Sequence, residues 1–361
     1  MKKVVISVTN DLLTDRRVEK LCNYLIDKNF KITLIGRELP NSLPLKRNYK
    51  TIRMKLFFNH SFLFYAEYNI RLFFILLTTN FDLLVSNDLD TLPANFLAKI
   101  IKSKPIVYDS HEYFTGVPEI QKRPFVKWVW STIEKNIFPK LTDIITVNKS
   151  IAKIYNKKYN KQILVVRNIS NPTEKQKIPN DFPNKDVIIL QGSGINIDRG
   201  AEEAIEAMQY IENAVLLIIG KGDVIEKLKT MRKDLKLTDK VIIKDQLPYI
   251  KMMAYTQHAT IGLSLDKATS KNYLYSLPNK LFDYIHAKIP VLASNVVEVK
   301  KIIEHYKIGK IIKKHNPKHI AKEINSMLEK KGIWQDNLKI ASNKLTWDKE
   351  VKKLDKIYLK F

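Results

Sequence analysis

The sequence predicts an α/β protein of two doubly wound domains, and three observations carry that expectation. Short apolar segments alternate with amphipathic ones, the alternation completes one set and restarts, and a polar, proline-containing stretch separates the sets. The apolar segments lack strict in–out alternation, which suits parallel strands covered on both faces. A chain of 361 residues, 45% of them hydrophobic, can bury two substantial cores.

In chain order, the first set reads as strands at 4–9, 32–35, 52–55, 83–86, 106–109, 144–147 and 163–166. Helical stretches lie between them, among them 15–27, 93–102 and 125–138. Residues 169–185 hold Pro172, Pro179 and Pro183 and read as a linker. The second set gives strands at 187–190, 215–219, 241–244, 261–265, 291–293 and 310–312. The expected organisation is a first domain over 1–168, a linker over 169–185, a second domain over 186–344 and a helical end over 345–361. No internal repeat or low-complexity tail is visible.

Net charge is +25 with a pI near 9.7, which suggests an anionic partner: nucleic acid, a membrane surface or a phosphorylated substrate. Lysines are spread rather than clustered, and no zinc-finger, RNP-like or helix-turn-helix pattern appears, so no nucleic acid is expected. The single cysteine, Cys22, cannot form an internal disulfide and fits a buried thiol in a reducing compartment. Met1-Lys2-Lys3 runs straight into a strand without a secretory signal. The apolar run 72–81 is too short to span a bilayer. A cytoplasmic protein, not a transmembrane one, is expected.

The most informative stretch is Ser276-Leu277-Pro278-Asn279-Lys280-Leu281-Phe282-Asp283-Tyr284, followed by Pro290 and a short strand. Pro278-Asn279 opens a helix carrying one acid, Asp283. A helix start presents unpaired N–H groups and the positive end of its dipole, so it suits phosphate. An acid just inside can accept hydrogen bonds from a ribose diol. The alternative is a helix with an Asn cap and an incidental acid. After the first strand of this domain, Gly192, Gly194 and Arg199 precede another helix, with close backbone approach and a fixed cation as a diphosphate requires. Lys280 can add a second charge. Gly220 and Gly222 end the next strand, where they line a nucleotide site or simply make a tight turn.

In the first domain, Asn10, Asp11 and Arg17 follow the first strand, although Thr14 can equally be a helix cap there. Asp88 follows a later strand. Tyr108-Asp109-Ser110-His111-Glu112 follows the next, and His111 beside acids can orient an acceptor hydroxyl or stabilise charge. Lys122, Arg123, Lys127, Trp128 and Trp130 join bases with large aromatics at a helix start, a mixture suited to an anionic bilayer, as is the stretch 57–74.

The Pro278–Tyr284 segment resembles the donor-binding PNKLFEY segment of glycosyltransferase family 4, retaining enzymes of the GT-B type. Tyr108–Glu112 resembles the YDxHE element of a subgroup, and Arg199-Gly200 its Arg/Lys-Gly element. The resemblance implies two Rossmann-like domains facing across a cleft, with a terminal helix crossing back onto the first. It implies sugar transfer from a nucleotide-sugar donor to a glycan or lipid-linked acceptor, with no cofactor and no metal. Arg199 then clamps the donor diphosphate, Asp283 binds the ribose and His111 reaches the transferred sugar. The family's other acid, eight residues before Asp283, falls on Tyr275, and Asn272, Tyr273 or Ser276 stand in its neighbourhood. Two alternatives stay open: a GT-B epimerase acting on nucleotide sugars, and, because of that departure, a noncatalytic scaffold in a polysaccharide assembly complex.

Overall fold

Two all-parallel sheets organise the chain. In the computed structural model, which describes residues 1–13 and 15–361, the first sheet is formed by β1 (Lys3–Asp11), β2 (Lys31–Glu38), β3 (Lys50–Lys55), β4 (Leu83–Asn87), β5 (Ile106–Ser110), β6 (Asp143–Thr146) and β7 (Leu164–Val165). Their spatial order is β3-β2-β1-β4-β5-β6-β7. The second sheet comprises β8 (Asp186–Gly192), β9 (Ala214–Gly220), β10 (Val241–Lys244), β11 (Ile261–Ser264), β12 (Val291–Ala293) and β13 (Gly309–Ile311). Its order is β10-β9-β8-β11-β12-β13. Each strand read from the sequence is present, with ends shifted by a few residues.

One unit comprises Met1–Asn168 with Val351–Phe361, the other Ile169–Glu350. The first unit's helices are α1 (Arg16–Asp27), α2 (Ser61–Thr78), α3 (Asp88–Lys102), α4 (Pro118–Gln121), α5 (Pro124–Ile137) and α6 (Lys149–Tyr159). Those of the second are α7 (Ala201–Ala207), α8 (Ile225–Asp234), α9 (Tyr249–Gln257), α10 (Lys271–Leu274), α11 (Asn279–Ala287), α12 (Val297–Tyr306), α13 (Pro317–Glu329), α14 (Gln335–Lys344) and α15 (Trp347–Glu350). A last turn, α16 (Asp355–Tyr358), packs on α1: buried Tyr358 meets the Tyr24 ring edge-on, and Tyr24 OH donates to Asp355 at 2.8 Å. Strand residues such as Leu83–Asn87 are buried at every position, which explains the missing alternation.

Three local readings change. Thr14 lies outside the described residues, and α1 is capped by Asp15, whose carboxylate accepts from Val18 N–H. Helix α3 begins at Asp88 rather than Pro93. A proline inside a helix disrupts the ladder, and here Asn69 of α2 repairs it: its Oδ1 accepts from Ala94 N–H and its Nδ2 donates to Asp90 O. Finally, the proline-rich stretch is docked chain: Ile169 is fully buried in the second unit's core, Phe182 packs against that core, and Asp181 pairs with Lys244.

Cys22 is buried, and burial pushes its thiol up to about 12, so it is inert.

Candidate functional site

In each sheet the chain reverses its winding direction once, between β1 and β4 and between β8 and β11. Ligands of open α/β sheets bind outside the carboxyl ends of the strands at such switch points. Polar side chains gather at both.

In the second unit they gather on Asp266, which lies two residues past the end of β11 and is 2% exposed. Arg199 Nη1 lies 2.9 Å from its Oδ1 and Lys280 Nζ lies 3.3 Å from its Oδ2. The Arg199 guanidinium also lies over the Tyr273 ring, 4.2 Å from its centre. Burial alone would raise the Asp266 pKa, but Lys280 and Arg199 hold it below the usual range. Burial lowers that of Lys280 despite Asp266, and the Arg199 charge acts the same way. Two cations around one carboxylate leave a net positive charge.

Backbone geometry brings these groups together. Gly200 has φ +78°, and a Cβ there would meet Leu265 O and Cβ at 2.4 Å, so only glycine lets Arg199 lie beside Asp266. Gly220 and Gly222 serve packing too: added Cβ atoms would lie 1.9 Å from Gly192 O and Ile195 O, and Ile195 N–H donates to Lys221 O at 2.9 Å. Gly192 and Gly194 differ, since their nearest neighbours would be 3.8 Å away. Their small size is not required by the fold.

Helix α11 supplies Lys280 and Asp283. Tyr284, fully buried, lies on Gly262 and accepts from Gln191 N–H at 3.3 Å, which seats the helix over β8 and β11. Pro278 is its cap residue and no side chain caps it, so Asn279 is not the cap that the sequence allowed. Ser276 Oγ instead closes the preceding turn on Tyr273 O. Asp283 is the fifth helical residue, 6% exposed, and not at the helix mouth. Ser170 and Tyr249 hydroxyls donate to its Oδ1 at 3.0 and 2.9 Å, and Gln191 Nε2 to its Oδ2 at 3.3 Å.

The first unit gathers acids instead. Asp109, at the end of β5, holds Arg17 through both oxygens, at 2.7 and 3.1 Å, and Arg17 Nη1 also donates to Val166 O. The sequence reading of Arg17 as acceptor-side changes here. Its guanidinium is 6% exposed and engaged at three atoms, so it fixes Asp109 rather than meeting a ligand. His111 Nε2 lies 3.1 Å from Asn87 Oδ1 and 3.5 Å from Asp109 Oδ2, and its Nδ1 lies 3.4 Å from Asp88 Oδ2. Its backbone N–H donates to Asp88 Oδ1 at 2.7 Å. Asp88 adopts φ 56°, an uncommon conformation for a non-glycine residue. Thr9 Oγ1 donates to Asp90 Oδ2 at 2.6 Å.

All ring neighbours of His111 are acceptors, which suits the imidazolium. Burial opposes that form, but Asp88 and Asp109 prevail and raise the pKa to about 9. Burial, with Glu112 and Asp90 nearby, pushes Asp88 up to about 8 and only partly yields to His111. Burial takes Asp90 up to about 7. Asp109 is buried too, yet Arg17 and His111 hold it well below the usual carboxylate range.

Other sequence candidates sit apart. Asn10 donates to Asp15, while Asp11 accepts from Ser42, Leu13 N–H and Arg53. Of the basic-aromatic segment, Trp130 is 6% exposed and packs edge-on against Tyr65 and Phe114, so it belongs to the core and cannot touch a membrane. Trp128 stacks on Phe125 and both are exposed. Among the described residues no group of three or more His, Cys, Asp or Glu is placed to hold a metal ion. Sequence reasoning missed Asp266, although it follows a strand end as Asp88 does. It also missed Ser170, Tyr249 and Gln191, which only tertiary packing brings to Asp283.

Residues 14–173 match the family "Glycosyltransferase Family 4" and residues 172–345 match "Glycosyl transferases group 1". No curated protein sequence matches. Solved structures do: sucrose-phosphate synthase from Thermosynechococcus elongatus has 14% identity and TM-score 0.82, with 100% of this chain and 99% of that one covered. HepE from Anabaena, in complex with UDP and glucose, has 14% identity, TM-score 0.74 and full coverage of both chains. WaaG, a glycosyltransferase involved in lipopolysaccharide biosynthesis, has 13% identity and TM-score 0.70, covering 98% of this chain and 99% of that one.

Proposed function

The chain belongs to the GT-B glycosyltransferases of the family 4 type, and from that premise we propose that it moves a sugar from a nucleotide-sugar donor to a glycan or lipid-linked acceptor, with retention of configuration. One observation carries this reading: Arg199 and Lys280 converge on buried Asp266 beside the uncapped start of α11. Two cations and a helix start that no side chain caps suit a diphosphate. Solved structures of this fold hold UDP, UDP-glucose and a fluorinated UDP-glucose, in HepE and in the trehalose-6-phosphate protein from E. coli, which supports a nucleotide-sugar donor here.

In the proposed reaction the bond from the anomeric carbon to the diphosphate oxygen breaks, and the acceptor oxygen bonds to that carbon on the same face. The acceptor's proton passes to the departing phosphate. Arg199 and Lys280 stabilise the charge that develops on the leaving group, so neither metal nor cofactor is needed. Gly192 and Gly194 let the phosphates approach the backbone. Asp283 takes the ribose hydroxyls, in place of its Tyr249 or Ser170 partner. His111, held as the imidazolium, orients the acceptor hydroxyl. A role in cell-surface polysaccharide synthesis on the cytoplasmic side follows from the family resemblance.

A thermal-shift panel of UDP-, GDP- and ADP-sugars tests the donor half. A ligand at about one hundred times its dissociation constant adds about 2.7 kcal/mol of native-state stability, several degrees for a chain of this size. Product analysis with the stabilising donor then tests the chemistry: transfer to an added glycan or lipid acceptor is expected. Release of sugar products without acceptor would indicate an epimerase instead. No shift across the whole panel would sink the donor assignment.

A further inference from the structure

The transferase reading leaves the acceptor open, and one arginine of the first unit narrows it. Arg37 stands near the carboxyl end of β2, the strand that pairs with β1 beside the switch point. It is half-buried: its guanidinium lies over the Phe64 ring, 4.5 Å from the centre, and Nη1 donates to Asn59 O at 3.2 Å. Its register partner across the two strands is Asp11, yet that carboxylate is engaged by Ser42, Leu13 N–H and Arg53. Among the described residues no carboxylate forms an ion pair with Arg37, and its Nε is buried without a hydrogen-bond partner. Burial pushes its pKa below the ordinary arginine value, and Tyr65, Asp90 and Asp11 offset this only in part.

A structural arginine of the same sheet looks different. Arg17 has three nitrogens engaged, on both oxygens of Asp109 and on Val166 O. Withdrawing a charge from water without a counter-ion costs stability, and a buried donor without a partner is uncommon in a native fold. Both features fit a group kept for a ligand. The surroundings of Arg37 connect it to the acid-rich site: the Tyr65 ring packs on Phe64 at 4.8 Å, and the charged groups nearest Tyr65 are Asp90, Arg37 and Glu112. Strands β2 and β4 flank β1, so Arg37 and the Asp88–Asp90 turn follow strands about 10 Å apart. A molecule laid across that span meets acids at one end and an uncompensated cation at the other. Ionised Asp109 repels a negative group, so such a group turns toward Arg37 while a neutral hydroxyl lies at the His111 end. Guanidinium matches the oxygens of a carboxylate or a phosphate.

We propose that the acceptor carries a carboxylate or phosphate, bound by Arg37, on a part of the molecule away from the hydroxyl that receives the sugar; this rests on the transferase reading. The test is ligand-observed NMR titration of the full chain, with UDP saturating the second unit's cations, against methyl glucoside, methyl glucuronide and glucose 1-phosphate. Wild type should bind one of the two anionic probes at least about tenfold tighter than the neutral glucoside, and which one it prefers tells carboxylate from phosphate. Arg37→Met keeps a side chain over Phe64 and should erase that preference, while its melting temperature holds or rises because a charge without a counter-ion is gone. Arg37→Lys should restore part of the preference. Equal affinity for neutral and anionic probes in the wild type would overturn the proposal, as would a preference that survives in Arg37→Met. A fall of several degrees in the melting temperature of Arg37→Met would overturn it too, by making Arg37 a structural residue. Absence of UDP binding would remove the transferase reading and this one together, whereas intact UDP binding without an anion preference removes this one alone.

Discussion

The two switch points share one device, a buried aspartate that holds two cationic groups, and differ in how many further acids surround it. In the second unit one acid, Asp266, gathers two cations, Arg199 and Lys280. In the first, one arginine and one histidine sit among Asp88, Asp90 and Asp109. A positive pocket suits a polyanionic donor, whereas an acid-rich pocket suits a hydroxyl acceptor and an electron-poor sugar carbon. The same topology therefore presents two chemistries, set by which residues follow β4, β5, β8 and β11.

The hubs themselves are where the comparison breaks hardest. Asp109→Asn strands Arg17, which is 6% exposed, and an unpaired buried charge costs about 3–5 kcal/mol. Asp266→Asn strands Arg199, which is 24% exposed, and Lys280, whose lowered pKa lets it shed its proton, and so should cost less. Chemical denaturation of both variants checks this order; equal losses would mean that the second hub is as closed as the first.

Arg199→Ala should lower turnover about 10²–10³-fold, the usual effect of removing one group that stabilises developing charge. Arg199→Lys should recover part of it, since a point charge replaces a planar fork. Full turnover by Arg199→Ala in a steady-state assay would move the clamp to Lys280.

Smaller effects separate packing from ligand roles among the glycines. Gly220→Ala should destabilise by more than about 1 kcal/mol, because its Cβ collides with Gly192 O and its φ is +152°. Gly194→Ala should leave the melting temperature unchanged and weaken diphosphate binding. A stable variant with unchanged affinity would show that the phosphates do not approach there.

The subtlest contrast is in protonation. His111 has a raised pKa in the folded state, so its contribution to stability is complete below about 6.5 and fades as pH rises through about 9. Asp88, raised to about 8 by burial, likewise loses stability contribution as pH climbs from the ordinary acid range. NMR titration of the His111 ring should show the imidazolium persisting above neutrality, and Asp88→Asn should lower its pKa. A His111 that titrates normally in the wild type contradicts the acid-rich account.

The sheets were legible because parallel strands buried on both faces leave continuous apolar runs, as at 83–86 and 187–190. Helix α3 was misplaced because Pro93 reads as a helix start, while the Asn69 bridge that lets the helix run through it comes from 25 residues away. The charged partners of Arg199 were less legible still: Asp266 lies 67 positions on, and only the Gly200–Leu265 approach brings them together. Asp283 was placed on its helix correctly, yet its depth depends on Ser170, Tyr249 and Gln191, which no local pattern connects to it.

The central claim is that the second unit's cation cluster binds a nucleoside diphosphate. Calorimetric titration of UDP, GDP and ADP against their monophosphates addresses it most directly, in the wild type and in Arg199→Ala. A charge-assisted hydrogen bond contributes about 1.5–3 kcal/mol, so the preferred diphosphate should bind at least about tenfold tighter than its monophosphate. That advantage should vanish in the variant. Equal affinity for diphosphate and monophosphate in the wild type would contradict the account.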